Sequence, residues 1–256
     1  MSKPASRDSS IAAYYEAYHQ PTIRGFNLGC QRSSQVFEAL DQHIAPGSRC
    51  LDVGCGDGHV LGPWALARDV RYVGVDIAAS AVEATRARGL EADQVEDSGR
   101  LPYPDSSFDA AVSLEVIEHL FQPEATIREA IRVVRPGGVV IVSTPNVSYW
   151  RRRLDLTLLG RWNPFGYNLA VSEPWNDPHI RFFNPGSLHR FLTKVGCEQI
   201  TILGHGGNLS DDLPWLGHRM HKIRRGQGSA MYRLLERRLP SVMGCFLIGV
   251  GRKPIA

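Results

Sequence analysis

The chain has 256 residues, of which 43% are hydrophobic and 21% charged, and its formal net charge is +3. This length suits one α/β domain with additions, and no stretch reaches the roughly 20 apolar residues that a membrane-spanning helix needs. The five cysteines have neither metal-finger spacing nor the pattern of a disulfide framework, which excludes those two classes and predicts a cytoplasmic protein.

Charge is distributed unevenly along the chain. Residues 1–146 contain 13 Lys and Arg against 19 Asp and Glu, whereas residues 147–256 contain 16 against 7. The first part is therefore acidic and the second strongly basic, at +9. This asymmetry predicts an anionic acceptor or peripheral contact with the inner face of a membrane. No RNA- or DNA-binding module is recognised, so nucleic acid is not favoured as a partner.

The first predicted element is an amphipathic helix that begins at Ser33 or Ser34 and ends before residue 46. From there strands alternate with helices. The predicted strands span residues 50–53, 71–75, 108–114, 139–143, 199–203 and 245–250. The predicted helices between them span residues 58–68, 80–88, 123–134 and 187–195. This alternation predicts a doubly wound α/β fold, with a mostly parallel sheet and helices on both of its faces.

A glycine-rich loop directly follows the first of these strands, in the segment Leu51-Asp52-Val53-Gly54-Cys55-Gly56-Asp57-Gly58. Three glycines at alternate positions let the backbone turn tightly and approach a ligand closely. Asp57 stands where an N-cap acceptor of the next helix would lie. The second strand ends at Asp76, 18 residues after Gly58, where a carboxylate can accept hydrogen bonds from a ribose diol.

The details of the loop favour a cationic, phosphate-free nucleoside cofactor. A dinucleotide fingerprint has a glycine three positions after its second one, where this chain has His59. Asp52 and Asp57 flank the loop, where their charges would repel phosphate. The segment closely resembles the first motif of the class I S-adenosylmethionine-dependent methyltransferases.

That resemblance implies a Rossmann-like methyltransferase fold of seven strands, the last antiparallel, and S-adenosylmethionine as cofactor. Asp97 lies before Leu101-Pro102 in a stretch that resembles the adenine-contacting segment of the family. Leu114 and Glu115 are expected beside the reactive methyl group. The full set expected to bind the cofactor is Asp52, Gly54, Cys55, Gly56, Gly58, Asp76, Ile77, Asp97, Leu114 and Glu115.

The segment Glu115-Val116-Ile117-Glu118-His119-Leu120 follows the fourth predicted strand. If it is helical, Glu115, Glu118 and His119 share one face and form a platform for a divalent metal ion. His179, from Asp177-Pro178-His179-Ile180-Arg181-Phe182, can complete such a site. Here the chain resembles the small-RNA 3′-terminal 2′-O-methyltransferases and the ubiquinone-pathway O-methyltransferases, which implies a Mg²⁺, Mn²⁺ or Co²⁺ ion that acidifies a hydroxyl of a diol or catechol.

The same residues also have a metal-free interpretation. Many similar methyltransferases carry such a segment without metal, so it can simply cap a helix and shape the pocket. His119 or His179 is then the candidate general base, because imidazole titrates near neutral pH. The residues expected to act in catalysis are Glu118, His119 and His179.

Three parts of the chain are distinguished by this pattern. Residues 1–45 are expected to form a tail and lid helices, and residues 46–205 the cofactor-binding core. The core includes an insertion at residues 146–185, which leaves from the carboxyl ends of the strands and is the better candidate for the acceptor pocket. Residues 206–256 hold a basic helical insertion and the final strand. The amphipathic stretch 213–239 within it predicts a helical cap or a membrane-surface helix.

A second resemblance leaves an alternative open. The stretch from Trp150-Arg151-Arg152-Arg153-Leu154 through residue 182 is similar to MetW-type methionine-biosynthesis proteins, which support homoserine acylation. The resemblance implies a partner protein that does not transfer methyl groups. Glu115, Glu118 and His119 favour the enzyme. We therefore predict an S-adenosylmethionine-dependent O-methyltransferase that acts on a diol-bearing small molecule, a glycan or a lipid-linked acceptor.

Overall fold

The computed structural model describes residue 16 and residues 34–96, 100–160, 179–206, 234–235 and 238–255. Its helices are α1 (Ser34–His43), α2 (Leu61–Ala67), α3 (Ala79–Arg86), α4 (Pro123–Val133), α5 (Trp150–Leu159), α6 (Pro185–Val195) and α7 (Pro240–Met243). Its strands are β1 (Arg49–Val53), β2 (Arg71–Asp76), β3 (Glu91–Gln94), β4 (Phe108–Leu114), β5 (Val134–Pro145), β6 (Glu198–His205) and β7 (Phe246–Arg252).

The seven strands form one sheet in the order β3-β2-β1-β4-β5-β7-β6. Strands β1 to β5 pair in parallel, and β7 is antiparallel to both of its neighbours. The predicted doubly wound, mostly parallel sheet with an antiparallel final strand is therefore confirmed. The strand order reverses between β1 and β4, and ligands of such sheets bind beyond the carboxyl ends of the strands at that point.

Two hydrophobic clusters occupy the two faces of the sheet. On one face α4 and α6 bury Ile127, Leu188 and Leu192 against the strands. On the other face α1 and α2 bury Leu40 and Trp64. Because apolar side chains from both faces of β1 and β4 are buried, these central strands are covered on both sides, as the sequence predicted.

The helix that follows the glycine loop is shorter than predicted. α2 begins at Leu61 rather than at the last glycine of the loop. Asp57 is therefore not its N-cap, and its carboxylate instead contacts the His59 ring. The physical reason is that Gly56 and Gly58 have φ angles of +55° and +68°, and this left-handed conformation cannot belong to a right-handed helix.

The sequence analysis did not find β3. Its four residues, Glu91 to Gln94, show neither alternation of apolar residues nor β-branched side chains, so no local signal marks a strand. It forms because it pairs in parallel with β2 and satisfies the backbone groups on that edge. In the same way β5 begins at Val134, five residues earlier than predicted, where it pairs with Phe108 of β4.

The strand ends that matter for function lie on one edge, which we call the carboxyl edge. It comprises the ends of β1, β2, β4 and β5 and the beginning of β7. Both insertions predicted from the sequence connect to this edge, since one follows β5 and the other precedes β7. Within the described ranges, no helix has the length and apolar character that crossing a membrane requires.

Candidate active site

The glycine loop and the acid at the end of β2 form one hydrogen-bonded unit. The Gly54 backbone N–H donates to the Val75 carbonyl at 2.8 Å. The Asp76 carboxylate accepts from the Gly56 N–H at 2.9 Å and from the Ala78 N–H at 3.0 Å. Each carboxylate oxygen has a second lone pair. Asp76 can therefore hold the loop and accept hydrogen bonds from ribose hydroxyls together, which fits an adenosyl cofactor.

Asp52 is buried and faces β2 rather than solvent. The Tyr72 hydroxyl donates to its Oδ2 at 2.9 Å. Gly74, the partner of Asp52 in the register, leaves the necessary room, because a Cβ there would lie 2.9 Å from the Tyr72 hydroxyl and 2.8 Å from Cys55 Sγ. The pKa of Asp52 is raised to about 7, mainly by burial; the Tyr72 hydrogen bond opposes this shift, and the Asp76 charge adds to it.

Asp52→Asn is expected to make the cofactor-free protein more stable at pH 8. The pKa of Asp52 lies above that of the unfolded chain, so its contribution to stability is full below about pH 4 and is lost as the pH rises through about 7. Asparagine does not ionise, so the variant keeps this stability at pH 8, where its free energy of unfolding should exceed that of the unaltered protein by on the order of 2 kcal/mol. Urea unfolding of both proteins at pH 8 and pH 4.5 measures this difference. An equal difference at both pH values would contradict the assignment.

Gly54 connects the cofactor loop to the segment that follows β4. Its φ is +76°, and an added Cβ would lie 2.5 Å from Cγ2 of Val116. Val116 begins the turn that carries Glu118 and His119, closed by a hydrogen bond from the His119 N–H to the Val116 carbonyl at 2.9 Å. The glycine is therefore required by packing against this turn as well as by backbone conformation.

Gly54→Ala is expected to destabilise the protein by about 2–4 kcal/mol, because it combines overpacking with a left-handed alanine. In the double variant Gly54→Ala/Val116→Ala the clash is removed, and we expect at least about 1 kcal/mol to be regained. Urea unfolding of the two single variants and the double variant gives this coupling energy. Strict additivity would show that the contact does not link the loop to the turn.

The segment after β4 is not the helix that the sequence analysis considered. Residues 116–119 form a single turn, and Glu115 has a φ of +57°. The Glu115 N–H donates to the Ser143 carbonyl, and the Ser143 hydroxyl donates to Glu115 Oε1 at 2.7 Å. Burial raises the pKa of Glu115 to about 7, although Ser143 and the charge of Arg152 oppose this shift. Glu115 is thus directed to β5.

Glu118, His119 and His179 lie together even without a helix. One potential ligand atom from each of the three lies within 4.8 Å of the other two. Glu118 Oε1 is 3.9 Å from His119 Nε2, and the centroids of the two imidazole rings are 4.4 Å apart. The structure does not bring Glu115 into this group, so the predicted four-residue metal site is reduced to three described residues.

The Glu118 carboxyl group is buried in an unusual environment. Its side chain is 1% exposed, and neither oxygen accepts a hydrogen bond from any residue in the described part of the chain. Burial, with the nearby Glu115 charge, raises the pKa of Glu118 well above its ordinary value. A buried carboxyl without hydrogen bonds is costly, so its presence here requires an explanation.

Backbone hydrogen bonds hold His179 beside Glu118. The Ile180 and Arg181 N–H groups both donate to the Glu118 carbonyl at 3.0 Å. One step further along, the Val147 N–H donates to the Phe183 carbonyl at 3.0 Å. Residues 180–183, at the end of the first insertion, are therefore hydrogen-bonded both to the turn after β4 and to the residues that follow β5.

The other residues assigned to the cofactor from the sequence occupy different environments. Ile77 lies at the carboxyl edge, and its carbonyl accepts a hydrogen bond from Gln94. The Leu114 side chain is buried in the core beside α1 and α2, and the Cys55 thiol points toward β2, so these two can contact a ligand only through their backbones. Asp97 lies outside the described residues, as does nearly all of the stretch 213–239.

Sequence reasoning missed the polar residues that organise this edge. Asn146 is fully buried, and its Nδ2 donates to the carbonyls of Pro240 (3.0 Å) and Gly244 (2.7 Å). Its Oδ1 accepts from the Ser148 N–H and hydroxyl. It thereby joins the beginning of the first insertion to the end of the second. The available signal was the polar run Ser143 to Asn146, which directly follows an apolar strand.

Comparison with known proteins gives the family. A profile described as a methyltransferase domain matches residues 30–202. The chain belongs to this methyltransferase family. A probable S-adenosylmethionine-dependent methyltransferase from Mycolicibacterium smegmatis is 33% identical over 80% of this chain and 74% of its own.

The protein is therefore a methyltransferase that uses S-adenosylmethionine, which favours the enzyme over a MetW-like partner protein. A ubiquinone biosynthesis O-methyltransferase from Chromobacterium violaceum is 30% identical over 66% of this chain and 73% of its own. A Thermotoga maritima methyltransferase structure covers 95% of this chain and 99% of its own, with a TM-score of 0.62 and 20% identity. This last likeness shows the fold alone.

Proposed function

We propose that this methyltransferase transfers the methyl group to a hydroxyl oxygen of a diol-bearing small molecule, a glycan or a lipid-linked acceptor. The observation that carries the proposal is the group formed by Glu118, His119 and His179 at the carboxyl edge. Such a group suits an acceptor that must lose a proton, because imidazole accepts protons near neutral pH. The ubiquinone biosynthesis O-methyltransferase supports oxygen as the acceptor atom.

In the simplest form of the reaction, His119 or His179 takes the proton of the acceptor hydroxyl. The oxygen attacks the sulfonium methyl group in line, the new O–CH₃ bond forms as the S–CH₃ bond breaks, and the sulfur leaves with the electron pair. The protein contributes alignment and removal of the proton. The carboxylate of Glu118, 3.9 Å from the His119 ring, stabilises the imidazolium ion that results.

The same three residues also fit a divalent cation. One carboxylate and two imidazoles are a donor set that favours a borderline ion such as Mn²⁺ or Co²⁺ over Mg²⁺, which prefers oxygen ligands. The buried, unbonded Glu118 carboxyl group agrees with this use. When bound, such an ion supplies positive charge that acidifies a coordinated hydroxyl. Glu118, His119 and His179 would hold it.

Transfer of a radioactive methyl group from S-adenosylmethionine tests the proposed reaction. The acceptor panel pairs catechols with phenols and mono-O-methyl ethers that lack the second hydroxyl. We expect methyl ethers from the catechols, and at least about a hundredfold loss of rate in His119→Ala. His189→Ala, which alters an exposed histidine of α6, is the matched control. Exclusive methylation of amines or of nucleic acid would contradict an oxygen acceptor of this kind.

A further inference from the structure

Helix α5 has its charged and apolar residues in the reverse of the usual arrangement. The only one of its side chains that is fully buried is Arg152. Its four leucines are exposed: Leu154 by 42%, Leu156 by 45%, Leu158 by 72% and Leu159 by 57%. Leu154 and Leu158 are four residues apart and share one face of the helix, and we call these two side chains the α5 apolar surface. Grouped leucines on a helix are normally buried, so this surface requires an explanation.

The contacts of Arg152 explain why the helix takes this orientation. Its Nη1 donates to the Asn146 carbonyl at 2.7 Å and its Nη2 lies 3.3 Å from Cys245 Sγ. The guanidinium also lies over the rings of Tyr149 and Phe246. These contacts fix the face of α5 that turns inward. Leu154 and Leu158, two and six residues further, are then directed outward.

The exposed apolar side chains of the described residues are concentrated at the carboxyl edge. Besides the α5 apolar surface, Phe121 and Phe182 are there, each nearly half exposed. The exposed Leu66 and Ile255 lie at the opposite edge, where α2 and β7 end. Exposed apolar patches of this kind mark interaction sites. Phe121 and Phe182 follow His119 and His179 in the sequence by two and three residues.

Basic residues border this apolar surface on α5. Arg151 and Arg153 flank it on α5, and the single acid of the helix, Asp155, is paired with Arg151 at 3.4 Å. Of the described residues from 147 onward, nine are Lys or Arg and two are Asp or Glu. Leucine and aromatic side chains bordered by arginine are the composition of elements that lie in the interface of anionic membranes.

We propose that the α5 apolar surface docks on an anionic lipid membrane. Leu154 and Leu158 enter the boundary between headgroups and acyl chains, and Arg153 contacts lipid phosphates. The carboxyl edge then faces the bilayer. If the proposed function holds, the acceptor enters from the membrane, but docking itself requires neither cofactor nor catalysis.

Sedimentation of the full chain with vesicles tests the proposal, with phosphatidylcholine vesicles compared to vesicles containing 40% phosphatidylglycerol. We expect binding to the anionic vesicles that weakens steeply between low and physiological salt. Leu154→Ser/Leu158→Ser should lower the partition coefficient by about tenfold or more, and Arg153→Gln by a few-fold. Leu66→Ser, at the opposite edge, is the matched control and should bind like the unaltered chain.

Three results would overturn the proposal. The first is the absence of binding to anionic vesicles at low salt. A dimer that Leu154→Ser/Leu158→Ser dissociates, without vesicle binding, assigns the surface to a second copy. If the melting temperature of Leu154→Ser/Leu158→Ser falls much further than the melting temperature of Leu66→Ser, the leucines are covered by other parts of the chain. Because no step measures methyl transfer, failure of the proposed function leaves these results unchanged.

Discussion

Asp76→Ala is expected to lower the affinity for S-adenosylmethionine by about 30-fold to 150-fold, equivalent to about 2–3 kcal/mol. The variant loses charge-assisted hydrogen bonds to the ribose. It also releases the Gly56 and Ala78 N–H groups that the carboxylate holds at 2.9 and 3.0 Å. Calorimetric titration with S-adenosylmethionine and with its demethylated product measures both affinities, which should fall together because the two ligands share the ribose.

The matched control for this measurement is Asp41→Ala. Asp41 accepts hydrogen bonds from Trp64 and Arg68 on the surface of α1 and α2, so its loss affects stability but not the carboxyl edge. Asp76→Asn is expected to bind with intermediate affinity, because it retains one acceptor oxygen without the charge. An Asp76→Ala affinity within threefold of the unaltered enzyme would remove Asp76 from the cofactor site.

Glu118→Gln is expected to reduce the rate of methyl transfer at least a hundredfold while the protein remains folded. Glutamine matches the size of the carboxyl group but cannot ionise, so it can neither bind a cation nor stabilise an imidazolium ion on His119, whose ring lies 3.9 Å away. If the three residues hold a cation, a chelator abolishes activity and Mn²⁺ restores it. His179→Ala should then require a higher Mn²⁺ concentration.

Direct measurement of Mn²⁺ binding separates the two forms of the mechanism. Electron paramagnetic resonance should show bound Mn²⁺ in the unaltered protein and in Glu124→Gln, the matched control, whose carboxylate pairs with Lys194 at 2.7 Å. The signal of bound Mn²⁺ should be lost in Glu118→Gln. If no Mn²⁺ binds and a chelator leaves activity intact, the metal is abandoned and an imidazole alone acts as the base.

The sequence was most informative where function depends on the local backbone. The alternating glycines after β1 and Asp76 at the end of β2 identify a nucleoside site, because each strand end directs its loop to the same edge. Glu118 and His179 are 61 residues apart. They were predicted to lie together because a carboxylate and an imidazole can bind the same divalent ion. The structure brings these residues together as expected, although through a turn rather than a helix.

What the sequence could not show depends on contacts between distant segments. The conformation of Glu115 is set by Ser143 on the neighbouring strand, which no periodicity within residues 115–120 reports. β3 forms only by pairing with β2. Burial of Arg152 in place of leucine reverses the usual hydrophobic pattern of a helix, and it is stabilised by a carbonyl that follows β5. Tertiary contacts override local preference in each case.

The two hydrogen bonds that the Glu118 carbonyl accepts from Ile180 and Arg181 have an evolutionary consequence. The first insertion leaves the sheet through α5, which ends at Leu159, and returns at a point fixed on the turn after β4. Changes in length or composition between these two points cost little in loop-closure entropy. If this stretch lines the acceptor pocket, acceptor preference can diverge there, while the two hydrogen bonds to the Glu118 carbonyl keep His179 beside Glu118.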